Sequence, residues 1–430
     1  MAHVSHAKVL PADLSAPAFV NAWRARALMV CVLFTVTALA LAFIAGPDGW
    51  QHVCRAWVLG FMLTFGFCGG GMTLLMVQYV TGGKWGLLLR RPLEAMTRTL
   101  PLVIAYWIGL GFMVNRLYMW ANPGIADADL KLGLITKDQL AGIQHAIEWK
   151  HPMLNVGTYW IVTAICFLIW GYYVWTLNTL SLKREKDTLA NTPYWIKKME
   201  NVSGFGILVY SLTMTAGVIY WVMSMDVTWY SSIYGLLFLV GEGFQVLALA
   251  LITTLSLSKA EPFKTILRTT EQYDLGKFTF AFVMLNMYLA FSQFLIIWSG
   301  NLPEEIPWYL DRINGHWGII CTLDFMFHWL IPFSLLLSKD IKKNKTRLIR
   351  VCQWMIFAKA FDLFWLIEPN FKDAARNLHF SLGILEYIAV PVAMTALWVA
   401  FYCTQLKSRP LVAVNDPHLA EILEPEHAHA

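Results

Sequence analysis

Apolar residues run through this chain in long blocks, not in alternation and not as narrow helical stripes. Ten blocks approach the roughly 20 residues that cross a bilayer as a helix: about 27–45, 56–79, 100–120, 154–178, 203–224, 230–257, 276–299, 317–338, 348–367 and 379–404. Short polar segments with Gly and Pro separate them. The pattern predicts an all-α polytopic membrane protein of about ten transmembrane helices. Basic residues sort between alternate connections: 23 of the 33 Lys and Arg fall on one side, and seven, including Arg55 and Arg312, on the other. Basic loops stay in the cytoplasm, so both termini are expected there. Residues 1–26 read as a cytoplasmic segment with Pro11 and Pro17 and no cleavable signal. Residues 27–404 form the transmembrane domain, and 405–430 a mobile cytoplasmic tail.

Composition agrees. The chain is 57% hydrophobic and 14% charged, against about 25% charged in soluble domains. The net charge of +5 follows from the loop bias. No basic–aromatic nucleic-acid motif accompanies it, so no nucleic-acid partner is expected. The seven cysteines form neither CxxC nor CxxCH, which leaves no ligand set for an iron–sulfur cluster or an attached haem c. They read as buried apolar thiols.

Particular stretches refine the picture. Gly69, Gly70 and Gly71 lie mid-depth in the second span, where small residues let helices approach closely. The segment TGGKWGLLLRRPLEAMTR reads as an interfacial turn and helix anchored by Arg90 and Arg91. The long outer loop, 121–153, holds an amphipathic helix capped by Thr136. His145 and His151 in that loop read as surface residues of a cap, and the tail's His418, His427 and His429 as tail residues, so no metal site is expected. After Trp298 the chain breaks into NLPEEIPWY, where Pro303 and Pro307 are expected to stop any helix. Trp308 and Tyr309 are expected at the membrane interface.

Ionisable groups at membrane depth cost about 2.5–3.5 kcal/mol each and mark function unless paired. Arg116, Glu242, Asp324, His328, Lys359, Asp362 and Glu386 lie inside predicted spans, with Asp226, Glu368 and His379 at span ends. They gather between the midplane and the outer face, and the inner half reads as almost free of charge. Glu242, Asp324, His328, Lys359, Asp362 and Glu386 are candidates for a proton path. Arg116, Asp226, Glu368 and His379 are outer-face candidates, with Arg116 expected to pair with an outer carboxylate. Asp324 and His328 stand i,i+4, so one carboxylate could hold the imidazole. Lys359 and Asp362 stand i,i+3, and a purely structural pair is the alternative reading. Trp298, Phe325, Trp329, Trp354, Phe361 and Trp365 suit bundle packing as well as a quinone slot.

FSQFLIIWSGNLPEEIPWY followed by Arg312, together with GGKWGLLLRRPLE and AFDLFWLIEPNF, resembles the ActF-type, NrfD-like membrane subunits of bacterial alternative complex III. That resemblance implies two four-helix bundles, spans two to five and six to nine, plus flanking helices. It implies a multi-pass subunit of the bacterial inner membrane with no redox centre of its own, in a complex that oxidises quinol and reduces a cytochrome c or an oxidase. Its partners would be a second NrfD-like subunit, an iron–sulfur subunit, multi-haem cytochrome c subunits and a terminal oxidase. Haem c and iron–sulfur clusters would sit in those partners, with room for menaquinone or quinol on this chain. A free-standing secondary transporter and the quinol-reactive subunit of a polysulfide-reductase-like enzyme are the competing readings.

Overall fold

The computed structural model describes residues 9–376 and 382–423. In chain order the helices are α1 (Phe19–Ala45), α2 (Pro47–Thr81), α3 (Trp85–Thr97), α4 (Leu100–Leu117), α5 (Gly124–Lys131), α6 (Lys137–Lys150), α7 (Val156–Lys186), α8 (Thr192–Trp221), α9 (Tyr234–Leu257) and α10 (Phe263–Ile266). There follow α11 (Thr269–Gly300), α12 (Ile306–Ile313), α13 (His316–Asp324), α14 (Ile331–Leu337), α15 (Lys339–Lys343), α16 (Lys345–Ile367), α17 (Lys372–Arg376), α18 (Glu386–Lys407) and α19 (His418–Leu423). A π-helical segment, Phe325–Leu330, joins α13 to α14. The described residues contain no strand.

The molecule is an all-α, multi-pass membrane protein. Nine helices among the described residues, counting His316–Leu337 as one, are long and apolar enough to cross a membrane. The tenth long helix, α16, has 23 residues, about 35 Å at 1.5 Å per residue. It departs from the others in carrying Arg350, Lys359 and Asp362, of which Lys359 and Asp362 are buried inside the protein.

Helices α2, α4, α7 and α8 pack as one four-helix bundle, and α9, α11, α13–α14 and α16 as a second. Helix α2 meets α9 where the bundles join, while α1 and α18 pack on each other and on α2. Glycines allow that central contact. A Cβ on Gly70 would stand 2.7 Å from Val246 Cγ2 and 2.8 Å from Glu242 O on α9. The expectation that the Gly run serves close packing is met. Both ends of the transmembrane domain lie together, because the Leu411 N–H donates to Leu14 O at 2.8 Å.

Several expectations are corrected. Only Gly46, at φ 64°, separates α1 from α2, so Arg55 lies inside α2 and is buried, not in an outer loop. Helix α3 is almost wholly buried, Arg90 and Arg91 included, so these arginines are not headgroup anchors. Pro307 stands in the first turn of α12, where its missing N–H costs nothing; it starts a helix. Trp308 and Tyr309 are buried, and Trp308 stacks on Trp229 with centroids 4.5 Å apart. The tail through Leu423 is docked, with Leu411, Val412, Ala413, Asp416, Leu419 and Ile422 buried. His427, His429 and His379 lie outside the described residues. The Thr136 cap is present: its side chain accepts from the Gln139 N–H in a capping box.

Candidate functional site

Where the bundles meet, α8, α9 and α16 bring polar groups together in an apolar surround. Glu242 on α9 is 3% exposed. Its Oε2 accepts from the Tyr210 hydroxyl of α8 at 2.8 Å, and Oε1 has no hydrogen-bond partner. The absence of a side chain on Gly241 lets α16 approach: a Cβ there would stand 2.8 Å from Lys359 Nζ and 3.4 Å from Asn286 Nδ2. Lys359 donates to Asp362 Oδ2 at 2.7 Å. His328 Nδ1 stands 3.6 Å from Asp362 Oδ1. Asp324, His328 and Asp362 each offer one ligand atom, all within 4.8 Å of one another.

The i,i+3 pair of Lys359 and Asp362 is present as expected, but the histidine is arranged differently. Residues Phe325–Leu330 are π-helical, a rare form frequent at functional sites. The carboxylate nearest the His328 ring is Asp362 on the neighbouring helix, and Asp324 Oδ1 has no hydrogen-bond partner. Phe244 meets the His328 ring edge-on at 4.6 Å. Gln245 turns from Glu242 and donates to Leu63 O at 3.2 Å. Beside Tyr210, Phe65, Cys68 and Trp170 help line a void of about 10 Å³, room for about one water molecule.

A second polar group gathers at the N-terminal ends of α2 and α18 and the C-terminal end of α16. Arg55 donates to Glu368 Oε1 at 3.1 Å and to both oxygens of Asp373 at 2.9 Å. Its guanidinium lies 4.2 Å over the Phe371 ring. Burial pushes the Glu368 carboxyl up to about 7 against the pull of Arg55. Glu386 is fully buried, makes no hydrogen bond, and lies 3.6 Å from His52 Nδ1. Asp226 is held by the Thr228 N–H and hydroxyl, with Lys372 4.0 Å away. Burial would raise its carboxyl, but Lys372 and Thr228 hold it below the ordinary value. Arg116 is exposed and pairs with no carboxylate among the described residues, contrary to expectation. Arg55 takes that role.

The inner ends are not free of charge. Glu94, fully buried, accepts from Arg91 and from the Ser181 hydroxyl, both at 2.5 Å. Arg91 also pairs with Glu185. Asp416 of the tail pairs with Arg90 at 2.5 Å and Arg184 at 3.5 Å. Asn415 Nδ2 donates to the carbonyls of Arg184, Glu185 and Asp187 at the end of α7. Sequence reading missed this cluster because it counted these arginines as loop charges. Tyr210 and His52 carried no signal beyond being single polar residues in or beside apolar runs.

The chain matches no known protein-family model, and none of the curated proteins compared with it.

Proposed function

We propose that this chain is the integral membrane subunit of a quinol-oxidising respiratory complex of the alternative complex III type, and that it conducts protons. The motifs around Arg312 support the placement. The observation that carries the proton role is two buried polar sets on either side of α9, Glu242 with Tyr210 and Lys359 with Asp362 and His328. Glu242, Lys359, Asp362, His328 and Asp324 present several protonatable atoms, three of which, Glu242 Oε1, Asp324 Oδ1 and His328 Nε2, are buried without partners. Proton carriage needs groups that change partner, and unsatisfied lone pairs beside an ion pair supply them.

On this reading electrons pass through partner subunits: an iron–sulfur subunit, multi-haem cytochrome c subunits, a second NrfD-like subunit and a terminal oxidase. Menaquinol would meet the complex from the bilayer of the bacterial inner membrane. The second reading, a secondary transporter, draws on the π-helical break in His316–Leu337, since transporters build sites on interrupted helices. Mild-detergent purification from the native membrane separates them. Co-purification with a multi-haem cytochrome and an iron–sulfur protein, with quinol:cytochrome c activity, supports the first. A haem-free homo-oligomer without that activity refutes it and favours the transporter.

A further inference from the structure

We propose that Asp324, His328 and Asp362 form a binding site for one divalent transition-metal ion, with zinc as its probe. The three ligand atoms lie within 4.8 Å of one another. Zinc holds imidazole nitrogen and carboxylate oxygen at about 2.0–2.2 Å, so side-chain movements of about 1 Å close the triad on one ion. Imidazole with carboxylates suits zinc and related divalent ions. Three protein ligands leave the fourth position to water.

Asp324 Oδ1 points to a ligand: it is buried without a hydrogen-bond partner, and a buried lone pair left unmade is costly. The His328 side chain is 10% exposed, and it stands in the π-helical segment. That widened turn sets the imidazole toward Asp362 on α16.

Lys359 is the competitor. Its ammonium holds Asp362 at 2.7 Å, so a metal ion must displace it. The ammonium lies against Gly241, where α9 and α16 meet. The metal ion would hold the lone pairs that a proton would use. Only that consequence rests on the function proposed above; the binding does not.

The test uses the purified full chain, or its complex, stripped with a chelator and titrated with Zn²⁺. Bound metal is read by mass spectrometry and by X-ray absorption at the zinc edge. The proposal predicts one ion per chain in a nitrogen–oxygen shell containing one imidazole. Asp324→Asn and His328→Gln should each weaken binding at least about tenfold, by loss of a direct ligand. Lys359→Met removes the competing cation and should tighten binding, a gain that misfolding would not produce. Absent zinc, a sulfur-containing shell, zinc indifferent to His328→Gln, or weaker binding in Lys359→Met each overturns the site.

Discussion

Removing the Asp416 carboxylate should release the C-terminal segment from the inner face. The Asp416 and Arg184 side chains are 2% exposed and that of Arg90 is 3%, so solvent screens these ion pairs little. Burial would raise the Asp416 carboxyl, but Arg90 and Arg184 outweigh it and hold it below its ordinary value. Asp416→Ala leaves two buried guanidinium groups short of a counter-charge. Breaking a buried pair by deleting one partner costs about 3–5 kcal/mol. The segment can lift to let water reach the arginines, so the cost falls on docking before it falls on the transmembrane bundles. At about 1.4 kcal/mol per factor of ten, undocking becomes roughly a hundredfold to several thousandfold more frequent. Amide hydrogen exchange reads this at the Leu411 N–H, bonded to Leu14 O, and over residues 411–423. Asp416→Asn, which keeps shape and loses charge, should fall between native and Ala. Because the folded carboxyl is depressed, its contribution is present at neutral pH and is lost only as pH falls through that lowered value. Protection unchanged in Asp416→Ala would refute the reasoning and leave the docking to the Asn415 hydrogen bonds and the apolar contacts of Leu411, Leu419 and Ile422.

Three further outcomes follow from the geometry. Gly70→Ala puts a Cβ within 3 Å of Val246 and Glu242 and should cost about 1–3 kcal/mol by overpacking, read as a lower thermal midpoint in detergent; Gly204→Ala, in the interior of α8 with nothing within 4 Å, should not lower it. Arg312→Met strips donors from Trp308 O and Asn370 Oδ1 and removes one of the two side-chain donors to Leu366 O; at about 1–3 kcal/mol for a buried group left unsatisfied, it should raise hydrogen exchange across α12 and the end of α16. Glu368, raised from 4.5 to about 7, binds its proton more tightly in the folded state. Its contribution to stability is therefore full below about pH 4.5 and lost as pH rises to about 7, and Glu368→Gln should flatten that slope in a melting series.

Much of this architecture was legible in the sequence because bilayer crossing leaves a one-dimensional trace. Twenty apolar residues in a row and basic loops at alternate connections need no knowledge of packing. The Thr136 capping box and the Lys359–Asp362 pair were legible for the same reason, since both lie within one turn of helix. What the sequence hid depends on partners distant in the chain. Arg55 looked like an outer-loop charge until Glu368 and Asp373, more than 300 residues away, supplied its counter-ions. Arg90 and Arg184 looked like cytoplasmic charges until Asp416 reached them from the tail. A hydropathy window scores a buried ion pair and a solvated loop alike. The i,i+4 spacing of Asp324 and His328 suggested a local pair, but the π-helical segment and Asp362 on a neighbouring helix reassigned the histidine.

The most direct test of proton conduction is the ratio of protons moved to electrons transferred in vesicles reconstituted with the purified complex, comparing native protein with Glu242→Gln and Asp324→Asn. The account predicts that quinol:cytochrome c electron transfer persists in uncoupled vesicles while the proton ratio falls in both variants. A ratio unchanged in both, with the complex intact, would contradict it and leave Glu242 and its neighbours as structural groups.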